Sequence, residues 1–192
     1  CRTFHDPQPS ASSEIAKLVE RYPIKSLNVV CHIRHATHGR VCLENTHPFT
    51  RELWGRTWAF AHNGKLPAVK KWPLRHYRPV GTTDSAHAFC WMLDAIRIGF
   101  QRPPHQHRMS AVFRLVNDLC HELAALGTFN LLMSDSRFLF AFCGTRLARL
   151  TRRAPFKEAS LKDADWVIDF EKETTPNDIV TVIATAPLTA MR

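Results

Sequence analysis

Two amphipathic stretches, "TDSAHAFCWMLDAIRIGF" and "MSAVFRLVNDLCHELAALG", are followed by short segments whose apolar period drops to two. A chain that passes from helix-forming to strand-forming sequence must bury one face of its helices on the sheet that it builds. The first stretch predicts a helix starting near Asp84, with Phe89, Met92, Leu93 and Ile96 on one face. The second predicts a long helix ending at Gly127, with "QRPPHQH" breaking the two apart. Then come "TFNLLMSD", "RFLFAFC", "LARLTRR", "DWVIDF" and "DIVTVIATAP", read as strands, with turns at "SDSR" and "TTPND". Upstream, "SSEIAKLVERY" reads as a short capped helix and "SLNVVCHI" as a strand. "RTWAFAHNGKL" reads as a second strand ending in an Asn-Gly turn, and residues 65–81, with Pro67, Pro73 and Pro79, as loop. This order suggests two layers of sheet with helices packed on a face, in one domain over residues 1–192.

Composition excludes several classes. An apolar content of 45%, with five Trp and twelve Phe, supplies a real core. No stretch is apolar for long enough to span a bilayer, and the first residues lack the basic and apolar regions of a secretory signal. The net charge of +9 is spread along the chain without an aromatic-basic motif, so no nucleic-acid partner is expected. None of the six cysteines forms a C-x-x-C pair and most fall in apolar runs, which predicts buried free thiols and a cytoplasmic protein.

Four polar clusters stand out: "RHATHG" (34–39), "NTHPF" (45–49), "AHNG" (61–64) and "TTDSA" (82–86). His32, His35 and His38 lack the acidic neighbours and the geometry of a metal set, and hydrogen-bonded loop histidines are the simpler reading. No metal or cofactor is expected. A zwitterionic ligand needs a cation and an anion. Arg34 offers a planar fork for a carboxylate, or merely a surface ion pair. Asp84 offers an acceptor for an ammonium, or merely a helix cap. The Asn63 amide and the Gly64 N–H can aim two donors at one oxyanion, yet by composition Asn-Gly favours a hairpin turn.

Taken in order, Arg34 to Gly39, Asn45 to Phe49, His62-Asn63-Gly64 and Thr83-Asp84-Ser85 resemble the class II glutamine amidotransferases, whose N-terminal nucleophile takes ammonia from glutamine. The likeness covers nearly the whole chain and is closest to the small stand-alone bacterial type. It implies an α+β fold, a four-layer αββα sandwich of the N-terminal-nucleophile hydrolase kind. It also implies that Arg34 binds the glutamine α-carboxylate, with Thr37 and His38 shaping that loop. Asn63 and the Gly64 N–H would stabilise the tetrahedral oxyanion, and Asp84 would hold the α-ammonium. His47 and Pro48 would position a loop. The substrate would be glutamine or a γ-glutamyl compound. A synthetase partner and the oligomeric state are left open.

The family's nucleophile is an N-terminal cysteine, and this chain begins with Cys1. Only residues 2–33 separate it from Arg34, however, and no Asp-Gly-Trp-Gly-like segment lies between. Cys1 is therefore expected to be an internal strand cysteine exposed by truncation, with incomplete sheets and an inactive fragment; a true N-terminal nucleophile is the alternative. A non-catalytic amino-acid-binding or regulatory module is the second functional reading.

Overall fold

The computed structural model describes residues 1–22, 24–34, 40–104, 109–156, 158–160, 167–186 and 188. The chain forms two compact units, Cys1–Phe142 and Cys143–Arg192. Among the described residues no helix is long and apolar enough to cross a membrane.

The first unit is built on a four-stranded sheet of order β1-β2-β3-β4, with β1 at Phe49–Leu53, β2 at Arg56–Lys65, β3 at Thr128–Ser134 and β4 at Leu139–Cys143. β1 and β2 form a hairpin that turns at Trp54 and Gly55, both with positive φ (59° and 71°). Positive φ at both central residues is what a two-residue hairpin turn of type I′ demands. The hairpin turn expected at Asn63-Gly64 is not there. β2 runs straight through both residues, antiparallel to β3, with Asn63 opposite Asn130 and Gly64 opposite Phe129.

The two amphipathic stretches form α2 (Asp84–Gly99) and α3 (Met109–Ala124), as their period requires. α2 packs on β1 and β2, and α3 on β3 and α2. Their apolar faces meet a sheet face made by alternate residues: Trp58 and Phe60 from β2, Phe129, Leu131 and Met133 from β3, all fully buried. Phe60 stacks on Phe89 of α2 with ring centroids 4.9 Å apart. Asp94 of α2, also buried, accepts hydrogen bonds from the backbone N–H groups of Arg75 (2.6 Å), His76 (2.8 Å) and Tyr77 (3.2 Å). It thereby holds the proline-rich loop, which contains only a 3₁₀ turn at Val69–Lys71.

Two expectations upstream fare differently. The helix α1 (Glu14–Arg21) is capped by Ser13, whose Oγ accepts from Ala16 N at 3.0 Å, but it buries none of its residues. "SLNVVCHI" is not a strand. Its residues alternate in exposure as an extended chain does, with Leu27, Val29 and Ile33 outward, but no described strand lies alongside to form a ladder. β-branched residues favour extension, yet a strand exists only through its hydrogen-bonded neighbour. Two side-chain bonds tether the segment instead: Asn28 Nδ2 to the Arg137 carbonyl (3.3 Å) and His32 Nε2 to the His62 carbonyl (3.2 Å).

The expected turn at "SDSR" forms, with Ser136 at φ 73° and Asp135 accepting from the N–H groups of Arg137 (3.0 Å) and Phe138 (2.7 Å). In the second unit, β5 (Ala148–Arg153) pairs antiparallel with β8 (Ile179–Ala184), and β6 (Ala159–Ser160) with β7 (Val167–Ile168). "DWVIDF" thus gives a two-residue strand, followed by the short helix α4 at Phe170–Glu173. The "TTPND" turn is closed by Asp178, which accepts from Thr175 N (2.9 Å) and Thr175 Oγ1 (2.8 Å).

All six cysteines are free, but only Cys90 and Cys120 are buried; Cys1, Cys31 and Cys143 are exposed. The expectation of buried free thiols is corrected for these three. Cys31 lies on the outward side of the unpaired segment, and Cys143 is the last residue of β4.

Asp94→Ala is expected to destabilise the protein by about 2 to 4 kcal/mol, because three backbone donors lose a charged acceptor at once. Urea unfolding of the two forms measures this, and an unchanged midpoint would show that the loop holds itself.

Candidate active site

The end of β2, the first residues of α2 and the segment up to Arg34 converge on one cavity of about 340 Å³. Arg34, Asn63, Gly64 and Asp84 all line it, together with His32, His47, His62 and Ser85. Thr37 and His38, assigned to the same loop from the sequence, lie outside the described residues. Arg34 Nη1 donates to the Arg40 carbonyl at 3.3 Å, linking the two ends of that loop.

Gly64 is glycine for a steric reason. Its φ is +154°, and a Cβ there would overlap the carbonyl oxygen of Thr128 and lie 2.7 Å from His62 Nε2. The neighbouring Asn63 faces Asn130, whose Nδ2 donates to the Asn63 carbonyl (3.2 Å) and, more weakly, to Asn63 Oδ1 (3.4 Å). With its side-chain oxygen accepting, the Asn63 amide turns its NH₂ away from Asn130.

Asp84 is not the helix cap. Thr83 is, accepting from Ala86 N at 3.1 Å through its hydroxyl. The Asp84 carboxylate is held by two backbone donors, Leu66 N (2.7 Å) and Ser85 N (2.8 Å). A carboxylate offers about four lone-pair positions, so two N–H bonds orient it and leave capacity for a ligand cation.

The histidines of this wall can be given tautomers from their partners. His62 Nε2 meets the Thr128 carbonyl (3.2 Å), which only accepts, so Nε2 carries the proton. His62 Nδ1 is then the acceptor for the Ser85 hydroxyl at 2.8 Å. By the same logic His32 donates through Nε2 to the His62 carbonyl, and its Nδ1 bears a lone pair. Burial holds His32 and His62 below the ordinary imidazole range, against the hydrogen bonds to carbonyls that favour the charged form. His47 goes furthest, pushed down to about 2 by burial and then by the neighbouring His32, His62, Arg34 and His5. Its ring lies tilted against that of His32 with centroids 4.2 Å apart, and among the described residues neither of its nitrogens has a hydrogen-bond partner. Among the described residues no group of histidine, cysteine and acidic side chains is arranged to hold a metal.

Several contributors were not legible beforehand. Asn130 sits inside an apolar run, and a lone amide amid "TFNLLMS" is its one signal. Asn45 joins the second cluster to the fourth: its Oδ1 accepts from Thr82 N at 2.8 Å, and its Nδ2 donates to the Arg40 carbonyl at 3.0 Å. Cys1 is not among the described residues that line the cavity.

The family model for class-II glutamine amidotransferases matches residues 1–192. YafJ of Escherichia coli (strain K12), assigned as a glutamine amidotransferase, is 57% identical over 189 residues, covering 98% of this chain and 73% of YafJ. A Haemophilus influenzae protein with the same assignment is 42% identical over 188 residues, covering 98% of this chain and 63% of its own length. Among solved structures, a predicted glutamine amidotransferase from Pseudomonas aeruginosa is 49% identical with a TM-score of 0.68, covering 78% of this chain and 58% of that one. The mixed helix-and-sheet architecture is therefore shared with a solved relative. The chain spans between roughly three fifths and three quarters of these relatives' lengths.

The buried imidazoles set a pH dependence. An unfolded histidine takes up a proton near 6.5, whereas buried His47 resists until about 2. Its contribution is complete above 6.5 and is lost progressively as the pH falls from 6.5 towards 2. At pH 5 that loss is about 2 kcal/mol for this residue alone. Urea midpoints measured between pH 7 and pH 5 are expected to fall, and His47→Asn to flatten the slope by ~1.4 kcal/mol per pH unit. Parallel profiles for the two proteins would contradict the burial argument.

Proposed function

The chain belongs to the class-II glutamine amidotransferases, and we propose that its cavity binds glutamine, or a γ-glutamyl compound, as a zwitterion and directs cleavage of the side-chain amide. The observation that carries this reading is the presence of Arg34, Asn63, Gly64 and Asp84 on one cavity wall, although they come from three separate parts of the chain. Arg34 receives the α-carboxylate and Asp84 the α-ammonium, which leaves the γ-amide directed towards the end of β2. There the Asn63 NH₂ and the Gly64 N–H supply donors for the oxyanion that forms as the carbonyl carbon is attacked. Donors held by a strand ladder need no reorganisation as charge develops, and one such donor is worth about 3 to 4 kcal/mol. The products are glutamate and ammonia, or the amine that carried the γ-glutamyl group.

A second reading, an amino-acid-binding module without turnover, is favoured by one observation. The described cavity wall holds no cysteine. Six unpaired cysteines support a reducing, cytoplasmic setting for either.

Calorimetry with glutamine tests the pocket, and a glutamate-release assay separates the two readings. Arg34→Ala and Asp84→Asn are each expected to weaken glutamine binding by about ten- to a hundredfold, the worth of a charged hydrogen bond. Asn63→Ala is expected to leave binding within a few-fold and to slow any turnover by about a hundredfold or more. Unaltered affinity in both charge variants would remove the zwitterion assignment.

A further inference from the structure

A second cavity, of about 240 Å³, lies beside the first, and no described residue lines both. Two segments divide them. Thr46 and Pro48 line the second cavity while His47, between them, lines the first; Gly81 and Ala86 line the second while residues 82–85 line the first. Gly81 keeps this partition tight, since a Cβ there would overlap the Glu44 carbonyl and Asn45 Oδ1, the oxygen that accepts from Thr82 N at 2.8 Å. Phe49, Ala86 and Phe89 give the second cavity a buried apolar floor, and Leu43 and Val80, both more than half exposed, give it an apolar rim. Two opposite charges, Arg51 and Glu44, stand on the same lining, and neither belongs to an ion pair among the described residues. Arg51 donates through Nη1 to the Thr50 carbonyl (2.7 Å) and through Nη2 to the Arg78 carbonyl (3.2 Å), with the Cys90 thiol beside it. A guanidinium has five N–H donors, so its fork keeps some for a carboxylate. The exposed Glu44 carboxylate accepts from its own backbone N–H and from the Cys42 thiol, and a carboxylate has lone pairs to spare beyond those two.

We propose that this cavity is a second ligand site, for a free amino acid with an apolar side chain such as phenylalanine or leucine. Arg51 takes the carboxylate, Glu44 takes the ammonium, and the side chain covers Phe49, Ala86 and Phe89. Size argues for a ligand of this class, because about 240 Å³ falls below the roughly 300 to 1,000 Å³ of sites for drug-sized molecules. Charge argues for a zwitterion, because a simple anion would meet Glu44 and a simple cation would meet Arg51. The floor and rim select an apolar side chain, since a polar one would lose its hydration against them. The two cavities can be filled at once, and this site does not depend on what the first one binds.

Calorimetry on the full chain compares phenylalanine with three analogues: phenethylamine lacks the carboxylate, 3-phenylpropionate the ammonium, and alanine the ring. Phenylalanine is expected to bind one to one. Losing the carboxylate or the ring is expected to weaken binding by about ten- to a hundredfold, and losing the ammonium, which meets an exposed carboxylate, by about threefold. Arg51→Gln is expected to weaken phenylalanine by about tenfold and Glu44→Gln by about threefold, while Arg34→Ala leaves it unchanged. Circular dichroism checks that Arg51→Gln folds, and the analogue series on the unaltered protein needs no variant. Absence of binding by both phenylalanine and leucine, or analogues as tight as phenylalanine, would overturn the site. Binding that is lost in Arg34→Ala and kept in Arg51→Gln and Glu44→Gln would put the ligand in the first cavity and overturn it as well.

Discussion

The pairing of Asn63, Gly64 and Lys65 with Thr128, Phe129 and Asn130 is the contact on which the site depends. At this end of the sheet the two strands come so close that only a residue without a Cβ fits opposite the Thr128 carbonyl. The same carbonyl accepts the proton of His62 Nε2 at 3.2 Å. One backbone oxygen thus sets the strand spacing and the orientation of the adjacent imidazole. Lengthening the approach would release both.

From that point a line of polar bonds crosses from sheet to helix. His62 accepts from the Ser85 hydroxyl, Ser85 N donates to Asp84, and Asp84 also takes the Leu66 N–H just beyond the end of β2. Each member is largely buried or half-buried, in a medium where a satisfied hydrogen bond is strong and an unsatisfied one is costly. The result is a fixed relation between the strand end that carries Asn63 and the helix start that carries Asp84. Asn45 extends the same tie to the segment after Arg34 through Arg40 and Thr82. Rigid placement of opposite charges around a pair of donors is what an amino-acid pocket requires.

Local sequence made the helices legible, because their period, their breaks and the threonine-aspartate start all act within a few residues. The strands that pair with sequence neighbours, such as β3 and β4 around Asp135, were legible for the same reason. Two failures share one cause. Asn63-Gly64 has the composition of a turn, and "SLNVVCHI" that of a strand, but each outcome is decided by what lies beside it in space. Gly64 continues β2 because β3 is there to pair with it, while Val29 and Ile33 stay outward because no described strand meets them. The candidate site was reached through the order of four motifs. The bridging role of Asn45, which opens the second of those motifs, and the part played by Asn130 were not, since both appear only when distant segments are brought together.

The extended course of β2 also bears on chemical ageing. Asn-Gly is the dipeptide most prone to lose its side-chain amide, by attack of the glycine nitrogen on the asparagine Cγ to form a cyclic imide. That attack needs a backbone free to fold back on itself. Here Asn63 and Gly64 are pinned in register against β3, and Asn130 grips the asparagine from across the ladder. The strand pairing that fixes this amide therefore also slows the spontaneous reaction that would turn it into an acid.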